Sequence, residues 1–459
     1  MNRQSSNARG SALLVIITLG VAASICQAQS LQAAKAAGAP TVVAYTAPAA
    51  GAFPRSPDFS RLEVRAAGAA TYSEAAVYAF ESSFAGKAGI AAFGLSGPAE
   101  VRVTYKRAVK SAEVLPSAYK IAAAIDGTQI TFTVKEPRNL VVNVNGDIDH
   151  PLCLFANPID LNPPSPTDPQ VDFYAAGQVH QFRKTQKKRV YIEGGAIVKG
   201  AIILDSGTTL SGYGMLFTDV NTNPLKSWNA RNITVQGIIV YNFGPGLHKQ
   251  GNWSYLAYAT SHLTVDNVKF FNVFYGEDGI DPDGDCRDVT IKNCFFHLGD
   301  DCIAIKASSW QSNGNIPRDI TVANNVFWQD RYGNPLHIGN ETWSTQTLSG
   351  LKIVDNYVVR ALAEPIQFPH GALISIEAAQ GAMIDGMEID GLHIEHADTP
   401  RLLNFSVTEH ETSKGLGAIR NVSIKNVDVK GPWMPSELAG LDGDHAIENL
   451  TLEGLRSNG

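Results

Sequence analysis

The chain has 459 residues, of which 44% are hydrophobic, and a formal net charge of -7 at pH 7. Such a chain can bury a large core, either in more than one domain or in one elongated solenoid. Acidic and basic residues are interleaved along it, without the Lys and Arg clusters that bind phosphate backbones, so we expect no nucleic-acid partner.

The N-terminal 28 residues have the pattern of a secretory signal peptide. Arg3 and Arg9 precede an apolar run over residues 12–23, and small residues follow up to Ala28. The run is too short to span a bilayer, and no later stretch reaches the roughly 20 apolar residues of a transmembrane helix. We therefore predict cleavage after Ala28 and a secreted or periplasmic protein with no membrane partner. A lipoprotein anchor on Cys26 is the competing interpretation.

Residues 40–157 alternate apolar and polar side chains over short stretches such as Val101–Tyr105 and Ile130–Val134. Turn residues separate these stretches, which is typical of antiparallel strands with one buried face. The pattern predicts an N-terminal β-sandwich, expected to pack on the first coil of whatever solenoid follows. The Pro-rich residues 158–171 cannot form a central strand or a helix, so they are predicted to be a linker.

From residue 172 to 459 the sequence is repetitive. A short β-rich stretch that ends in Asn or Gly recurs at steps of 26 to 35 residues. The closing residues are Gly237, Asn267, Asn293, Asn324, Asn356, Gly391, Asn426 and Gly454. Repeats of this length are typical of solenoids, and the alternating pattern favours strands over helices. Asn and Gly tolerate left-handed backbone angles at sharp corners. The sequence thus predicts an all-β chain that ends in a parallel β-helix.

Carboxylates concentrate in two neighbouring repeats, with Asp278 and Asp281 in one and the adjacent Asp300 and Asp301 in the next. Asp300 follows the first two by 22 and 19 residues, close to one coil, so the two runs are predicted to stack. Close carboxylates repel each other and raise one pKa, which supplies the acid and the base that glycoside hydrolysis needs. Aspartates that cap turns or bind calcium would give the same composition, and this alternative stays open.

The stretches Asp278–Pro282 and Gly299–Lys306 closely resemble the signature of the polygalacturonase family. Members of that family are right-handed parallel β-helices that hydrolyse α-linked galacturonans with inversion, through three aspartates. The resemblance implies that Asp300 is the general acid, and that Asp278 and Asp301 activate the water. It also implies a catalytic domain over residues 172–459 that needs no cofactor and no metal.

The dextranase and isopullulanase family of the same clan also has a β-sandwich before its β-helix. Its Asp-Gly-x-acid arrangement is similar to Asp278–Asp281, which makes Asp281 a further catalytic candidate. Two positions depart from the polygalacturonase pattern: Asn334 replaces its His, and Ser375–Glu377 replaces its Arg-Ile-Lys. A subsite without a cation has no charged partner for a uronate. The predicted substrate is therefore either pectic galacturonan or a neutral glucan such as dextran.

Further side chains are predicted to line the cleft, some as hydrogen-bond partners and some as aromatic platforms for sugar rings. The predicted substrate-binding residues are His248, Lys306, His337, Asn334, Trp310 and Trp343, and Trp253 and Tyr275 are further aromatic candidates. We expect a monomer with a polysaccharide partner. A polysaccharide lyase and a noncatalytic carbohydrate-binding β-helix are the alternatives.

Four cysteines remain after the predicted cleavage: Cys153, Cys286, Cys294 and Cys302. Export permits disulfides, and Cys286 and Cys302 could staple the carboxylate-rich segment that they bracket. Buried free thiols in the coils are the equal alternative.

Overall fold

The computed structural model describes residues 40–457 except 83–85, 244–251, 273, 309–314, 331, 363–370, 380, 398–400 and 409–416. The predicted signal peptide, His248 and Trp310 therefore lie outside the described residues. Within them, the helical structure is a single 3-10 turn, Ser117–Tyr119. No helix in this part of the chain is long and apolar enough to cross a membrane.

The first eleven strands form an N-terminal sandwich. They are β1 (Val42–Ala44), β2 (Phe59–Ala66), β3 (Ser73–Ala75), β4 (Val77–Ser82), β5 (Gly86–Leu95), β6 (Ala99–Tyr105), β7 (Ala112–Leu115), β8 (Ala124–Asp126), β9 (Gln129–Val134), β10 (Arg138–Val144) and β11 (Asp147–Pro158). One sheet has the order β1-β5-β11-β10-β7, with β4 also paired to β5, and the other has the order β3-β2-β6-β9-β8. All pairs are antiparallel except β5 with β11. The alternating side chains of both sheets enclose one apolar core, as the pattern predicts.

The remaining strands form the solenoid. They are β12 (Val171–Tyr174), β13 (Val179–Gln181), β14 (Arg189–Ile192), β15 (Ile197–Lys199), β16 (Ile202–Ile203), β17 (Thr209–Gly212), β18 (Met215–Thr218), β19 (Leu225–Trp228), β20 (Arg231–Gln236), β21 (Ile239–Asn242), β22 (Tyr255–Tyr258), β23 (Ser261–Asp266), β24 (Lys269–Asn272), β25 (Ile280–Asp283), β26 (Arg287–Lys292), β27 (Phe295–Leu298), β28 (Ile303–Ile305), β29 (Arg318–Ala323), β30 (Val326–Gln329), β31 (Leu336–Ile338), β32 (Thr347–Ala361), β33 (Ile374–Ala378), β34 (Met383–Ala397), β35 (Leu403–Val407), β36 (Ala418–Val429), β37 (Glu437–Ala439) and β38 (Ile447–Ser457).

Each coil of the solenoid contributes strands to three faces. The first face contains β14, β17, β20, β23, β26 and β29, and the second contains β15, β18, β21, β24, β27 and β30. From β32 onward these two faces share one long strand per coil. The third face has the order β16-β19-β22-β25-β28-β31-β33-β35-β37. Every strand pairs in parallel with its counterpart in the next coil, so the predicted right-handed parallel β-helix is confirmed.

Stacked apolar residues fill the interior of the helix. On the first face the register joins Leu210, Val235, Val265, Ile291 and Val322 in successive coils, and all five side chains are buried. One coil could not cover such a side chain from both sides, so each coil depends on its neighbours for burial. The alternation of apolar and polar residues recurs along the sequence because each coil places its apolar side chains in the same stack.

Asparagines turn the chain at the corner after the first face. Asn293 and Asn324 have φ angles of 55° and 52°, and the Asn324 amide donates to the Asn293 side-chain oxygen at 2.7 Å. The repeated Asn thus supplies both a left-handed corner and a ladder between coils. In the coil of Asn356 the left-handed position is taken by Asp355, at φ 51°.

The sandwich packs along the second face of the helix, over several coils. Aromatic side chains form this contact: Phe53, Phe80 and Phe155 of the sandwich, and Phe217, Tyr241, Phe271, Phe295 and Trp328 of the helix. The Asn139 side-chain amide also donates to the Asn293 carbonyl oxygen at 2.7 Å. The sandwich contacts the first coils as expected, for example through the Gly177 N–H, which donates to the Thr46 carbonyl oxygen at 2.9 Å. The contact also extends further along the helix, because the outward residues of the second face are aromatic over most of its length and need a cover. This aromatic contact lies on the second face and includes no residue of the third-face strands.

All four cysteines of the described residues are buried free thiols, and the Cys286–Cys302 staple is not formed. Burial raises the pKa of the Cys286 and Cys294 thiols to about 12 in both cases. They act as small apolar residues in the helix interior.

Candidate active site

The carboxylate-rich segments meet on the third face, just before β25 and β28. Ile280 pairs with Ile303 in parallel register, and the Gly279 N–H donates to the Asp301 carbonyl oxygen at 2.8 Å. The same register puts Asp278 opposite Asp301 in adjacent coils. Parallel strands in neighbouring coils lie roughly 4.8 Å apart, so side chains at equivalent positions are brought close together.

These residues line a cleft of about 330 Å³ on the third face. Its walls include Asp278, Asp300, Asp301, Lys306, Asn334, His337, Glu341, Trp253 and Tyr275. Carboxylate oxygens of Asp278, Asp300 and Asp301 all lie within 4.8 Å of one another. Three buried carboxylates at this distance cannot all be ionised without compensation, so their partners decide their protonation states.

Asp300 is the carboxylate with the least compensation. Its two oxygens accept hydrogen bonds from the backbone N–H groups of Gly276, at 2.7 Å, and Asp301, at 2.9 Å. Burial and the neighbouring carboxylates of Asp278 and Asp301 raise the pKa of Asp300 well above its ordinary value. Gly333, at φ 73°, lies so close that a Cβ atom there would be 2.4 Å from Asp300 Oδ1. Asp300 is therefore held in place and favoured in its protonated form.

Asp301 has the opposite environment. Its Oδ1 accepts hydrogen bonds from the Asn334 backbone N–H, at 2.6 Å, and from the Asn334 side-chain amide, at 3.0 Å. Its Oδ2 lies 2.7 Å from His337 Nδ1. Burial acts to raise the pKa of Asp301, but His337, Lys306 and Asn334 outweigh burial and lower it. Two adjacent residues in one cleft thus favour opposite protonation states.

Lys306 compensates the third carboxylate. Its Nζ lies 3.0 Å from Asp278 Oδ2, 3.0 Å from Asp281 Oδ2 and 3.1 Å from Glu341 Oε2. It also lies 4.1 Å from the ring centroid of Trp253, a cation–π contact. Burial raises the pKa of Asp278, and Lys306 opposes that rise. The ammonium group is therefore occupied by carboxylates.

Asp281 lies beneath this cluster and is fully buried. Burial raises its pKa well above the ordinary value, although Lys306 opposes the rise. Asp281 does not belong to the described cleft wall, so it faces Lys306 and Asp278 from below.

The other predicted residues divide into three groups. Asn334 and His337 line the cleft, but both bind Asp301. Trp343 is half-buried and does not belong to the described cleft wall. Trp253 and Tyr275 do line the cleft, and Tyr275 is 40% exposed.

Sequence reasoning missed two carboxylates at this site, Glu341 and Glu377. Glu341 reaches Lys306 from the segment after β31. Glu377 lies 3.2 Å from His337 Nε2 and is 2% exposed. The only available signal for Glu377 was its place within the tripeptide that replaces Arg-Ile-Lys.

Among the described residues, Asp278, Asp300 and Asp301 form the group that could hold a metal ion. Calcium takes about six to eight oxygen ligands, so these three carboxylates would have to bind in bidentate fashion or be joined by further oxygens. The ammonium of Lys306, 3.0 Å from Asp278, already supplies a positive charge at this position. The arrangement is better suited to proton transfer than to holding a cation.

No known protein-family profile matches the chain, and no curated protein matches its sequence. Among solved structures, it is similar to Dex49A from Penicillium minioluteum, with 14% identity, a TM-score of 0.59, and coverage of 90% of this chain and 89% of that chain. A hyperthermoactive exopolygalacturonase from Thermotoga maritima matches with 13% identity over 57% of this chain and 63% of that chain, at a TM-score of 0.37. The catalytic domain of a family 87 α-1,3-glucanase in complex with tetrasaccharides matches with 14% identity over 91% of this chain and 79% of that chain, at a TM-score of 0.42. The first match shows a shared fold over almost the full length of both chains, while the chemistry has to be argued from the site.

Proposed function

We propose that the protein is a secreted glycoside hydrolase that cleaves α-linked polysaccharide, with Asp300 as general acid and with Asp278 and Asp301 as the pair that activates water. The observation that carries this proposal is the contrast between Asp300 and Asp301. One has a raised pKa and the other a lowered pKa, although they are adjacent in the same cleft. Carboxyl groups whose environments separate their pKa values are the usual acid and base of a glycosidase.

In the proposed reaction, Asp300 gives its proton to the glycosidic oxygen as the bond from that oxygen to the anomeric carbon breaks. A water molecule between Asp278 and Asp301 attacks the anomeric carbon and loses a proton to this pair. Asp301, with its lowered pKa, orients the water, and Asp278, with its raised pKa, is the better proton acceptor. Asp300 is left ionised and regains its proton before the next cycle.

The stereochemical outcome we propose is inversion. Carboxylates within 4.8 Å are closer than the roughly 6.5–9.5 Å usual for inverting enzymes, and by spacing alone they favour the retaining mechanism. However, both oxygens of Asp301 are already hydrogen-bonded to Asn334 and His337, which disfavours that residue as a nucleophile. Two carboxylates side by side can accept hydrogen bonds from both O–H groups of one water molecule, which orients its lone pair for direct attack.

The substrate that the cleft fits best is a neutral α-glucan. The cations of the described cleft wall are Lys306 and His337, and both are bound to carboxylates of the protein. A galacturonan would bring its own carboxylates to this acidic cleft without a free cation to receive them. Trp253 and Tyr275 offer aromatic faces, which suit sugar rings of either kind.

The first test is reducing-sugar release from dextran, pullulan, polygalacturonate and rhamnogalacturonan. Asp300→Asn is the inactive variant, and Asp285→Asn is its matched control, because Asp285 lies in the same acidic segment but bonds to Arg287 outside the cleft. We expect release from a neutral glucan that falls by at least about 100-fold in Asp300→Asn, as for the loss of a general acid, and is unchanged in Asp285→Asn. Equal activity of Asp300→Asn and the parent protein would refute the assignment.

Proton NMR of the first product decides the stereochemistry. An α-linked substrate should give a β-anomer at early time, before the sugar mutarotates. An α-anomer as the first product would show retention and would make one of the carboxylates the nucleophile.

A further inference from the structure

A chain of buried polar groups runs away from the cleft across four coils of the third face. His337 Nδ1 lies 2.7 Å from Asp301 Oδ2, and His337 Nε2 lies 3.2 Å from Glu377 Oε1. Glu377 in turn accepts a hydrogen bond from Ser375 Oγ at 3.3 Å, and the Asn404 side-chain amide donates to Ser375 Oγ at 3.2 Å. These side chains are all buried. The chain thus links the proposed water-activating carboxylate to the interior of the third face.

The two contacts of His337 determine its protonation state. Neutral imidazole has one N–H donor and one lone pair, so it cannot donate to two ionised carboxylates at once. Here both ring nitrogens face carboxylate oxygens, one from Asp301 and one from Glu377. Burial acts to lower the pKa of His337, but the two carboxylates outweigh burial and raise it well above the ordinary value. The arrangement therefore fits an imidazolium that donates in both directions.

The remaining charged groups near His337 have other partners. Lys306, the residue after β28, is bound to Asp278 and Glu341. Asp300 accepts its hydrogen bonds from backbone groups. Glu377 thus faces His337 from β33 as the second of its two carboxylate partners.

We propose that Glu377 is a positioning residue: by holding His337 as an imidazolium, it keeps Asp301 ionised and oriented toward the attacking water. Glu377 is 2% exposed and does not belong to the described cleft wall, so it acts through His337 rather than on the substrate. This inference rests on the proposed function for its consequence in catalysis. The state of His337 itself can be measured without any substrate.

The test is Glu377→Gln, which keeps the shape of the side chain and removes its charge. The matched control is Ser406→Ala, since Ser406 pairs with Glu377 in the next coil on the same face. The first measurement is the ¹⁵N NMR spectrum of the histidine side chains between pH 5 and 9, with the His337 signals identified by their loss in His337→Asn. In the parent protein both His337 nitrogens should stay protonated through neutral pH. In Glu377→Gln the ring should lose a proton at a pH lower by about 1 to 3 units, as for the loss of a neighbouring opposite charge.

The second measurement is the pH dependence of kcat and KM on the hydrolysed polymer. We expect kcat at neutral pH to fall about 10-fold to 100-fold in Glu377→Gln, part of what proton transfer contributes, with KM changed less than about twofold. The acidic limb of kcat should move to higher pH, because a weaker positive charge on His337 raises the pKa of the Asp278 and Asp301 pair. Glu377→Asp should restore part of the activity, and Ser406→Ala should match the parent protein. A merely structural role would lower stability without moving the acidic limb.

The outcomes separate this inference from the proposed function. A neutral His337 in the parent protein, or unchanged His337 signals in Glu377→Gln, overturns the inference even if the polymer is hydrolysed. An imidazolium that depends on Glu377 in a protein that hydrolyses none of the polymers would instead overturn the proposed function. An active Glu377→Gln variant whose acidic limb lies at the same pH as that of the parent protein would also refute the positioning role.

Discussion

Lys269 is the most deeply buried cation at the contact between the sandwich and the second face. It is 0% exposed, and its Nζ donates to Asn157 Oδ1 at 2.5 Å, to the Asn267 carbonyl oxygen at 2.7 Å and to the Gly237 carbonyl oxygen at 3.1 Å. Burial lowers the pKa of Lys269 from 10.5 to about 7. Since the partners are neutral oxygens, they compensate only part of the cost of burying the charge.

The lowered pKa makes the free energy of unfolding depend on pH. Between pH 7 and 10.5 the unfolded chain keeps the proton of Lys269 and the folded protein has lost it, so stability rises with pH in this window. A difference of about 3.5 units corresponds to about 5 kcal/mol at 1.36 kcal/mol per unit. About 3 kcal/mol of it should appear between pH 7 and 9.5, since the folded group is half-titrated at the lower limit and the unfolded group is still mostly protonated at the upper one.

Lys269→Met removes this titration and keeps an apolar chain of similar length. Urea unfolding measures the free energy of unfolding at pH 7 and at pH 9.5. From pH 7 to 9.5, this free energy should rise by about 3 kcal/mol more in the parent protein than in the variant. Other titrating groups, including the buried tyrosines, are common to both proteins and cancel in this difference. Lys292→Met, at a partly exposed lysine on the first face, should behave like the parent. Parallel pH dependence in the parent and Lys269→Met would show that Lys269 stays charged in the folded protein.

Two further predictions concern the active-site cleft. The pH profile of kcat/KM should be bell-shaped: activity is lost at low pH as Asp278 and Asp301 gain protons, and at high pH as Asp300 loses the proton that it must donate. Because the pKa of Asp300 is raised, the alkaline limb should lie well above the ordinary carboxyl range, and a limb near pH 4 would contradict its role. Gly333→Ala should lower kcat by at least about 100-fold, since its Cβ would lie 2.4 Å from Asp300 Oδ1 and its φ is 73°. Circular dichroism and thermal unfolding would check that the variant folds. Normal activity would show that Asp300 tolerates displacement.

The sequence predicts the solenoid because its signal is repeated. Val235, Val265 and Ile291 each occupy the same position of the alternating pattern, and each stacks on the next in the structure. The meeting of Asp278 with Asp301 follows from the same spacing, because one coil separates them. A short-range pattern therefore gives long-range contacts wherever the coil length is regular.

The partners of these carboxylates follow no such rule. His337 is 36 residues from Asp301 in the sequence and 40 residues from Glu377. These three residues lie in coils whose connecting segments differ in length. Asn334 and Lys306 were found as candidates, but as ligands for sugar, while their polar atoms bind Asp301 and Asp278. The side-chain direction that decides between substrate and carboxylate depends on loop geometry, and that geometry is not periodic.

The aromatic contact between the sandwich and the second face also bears on how the chain assembles during synthesis. Residues of the sandwich leave the ribosome before those of the helix, and domains generally fold as units in that order. Each new coil can therefore place its Phe271, Phe295 or Trp328 on an apolar surface that already exists. The N-terminal domain would then act as a template for the solenoid. It would cover the exposed apolar surface of each coil as that coil forms, and so limit aggregation of the incompletely folded solenoid.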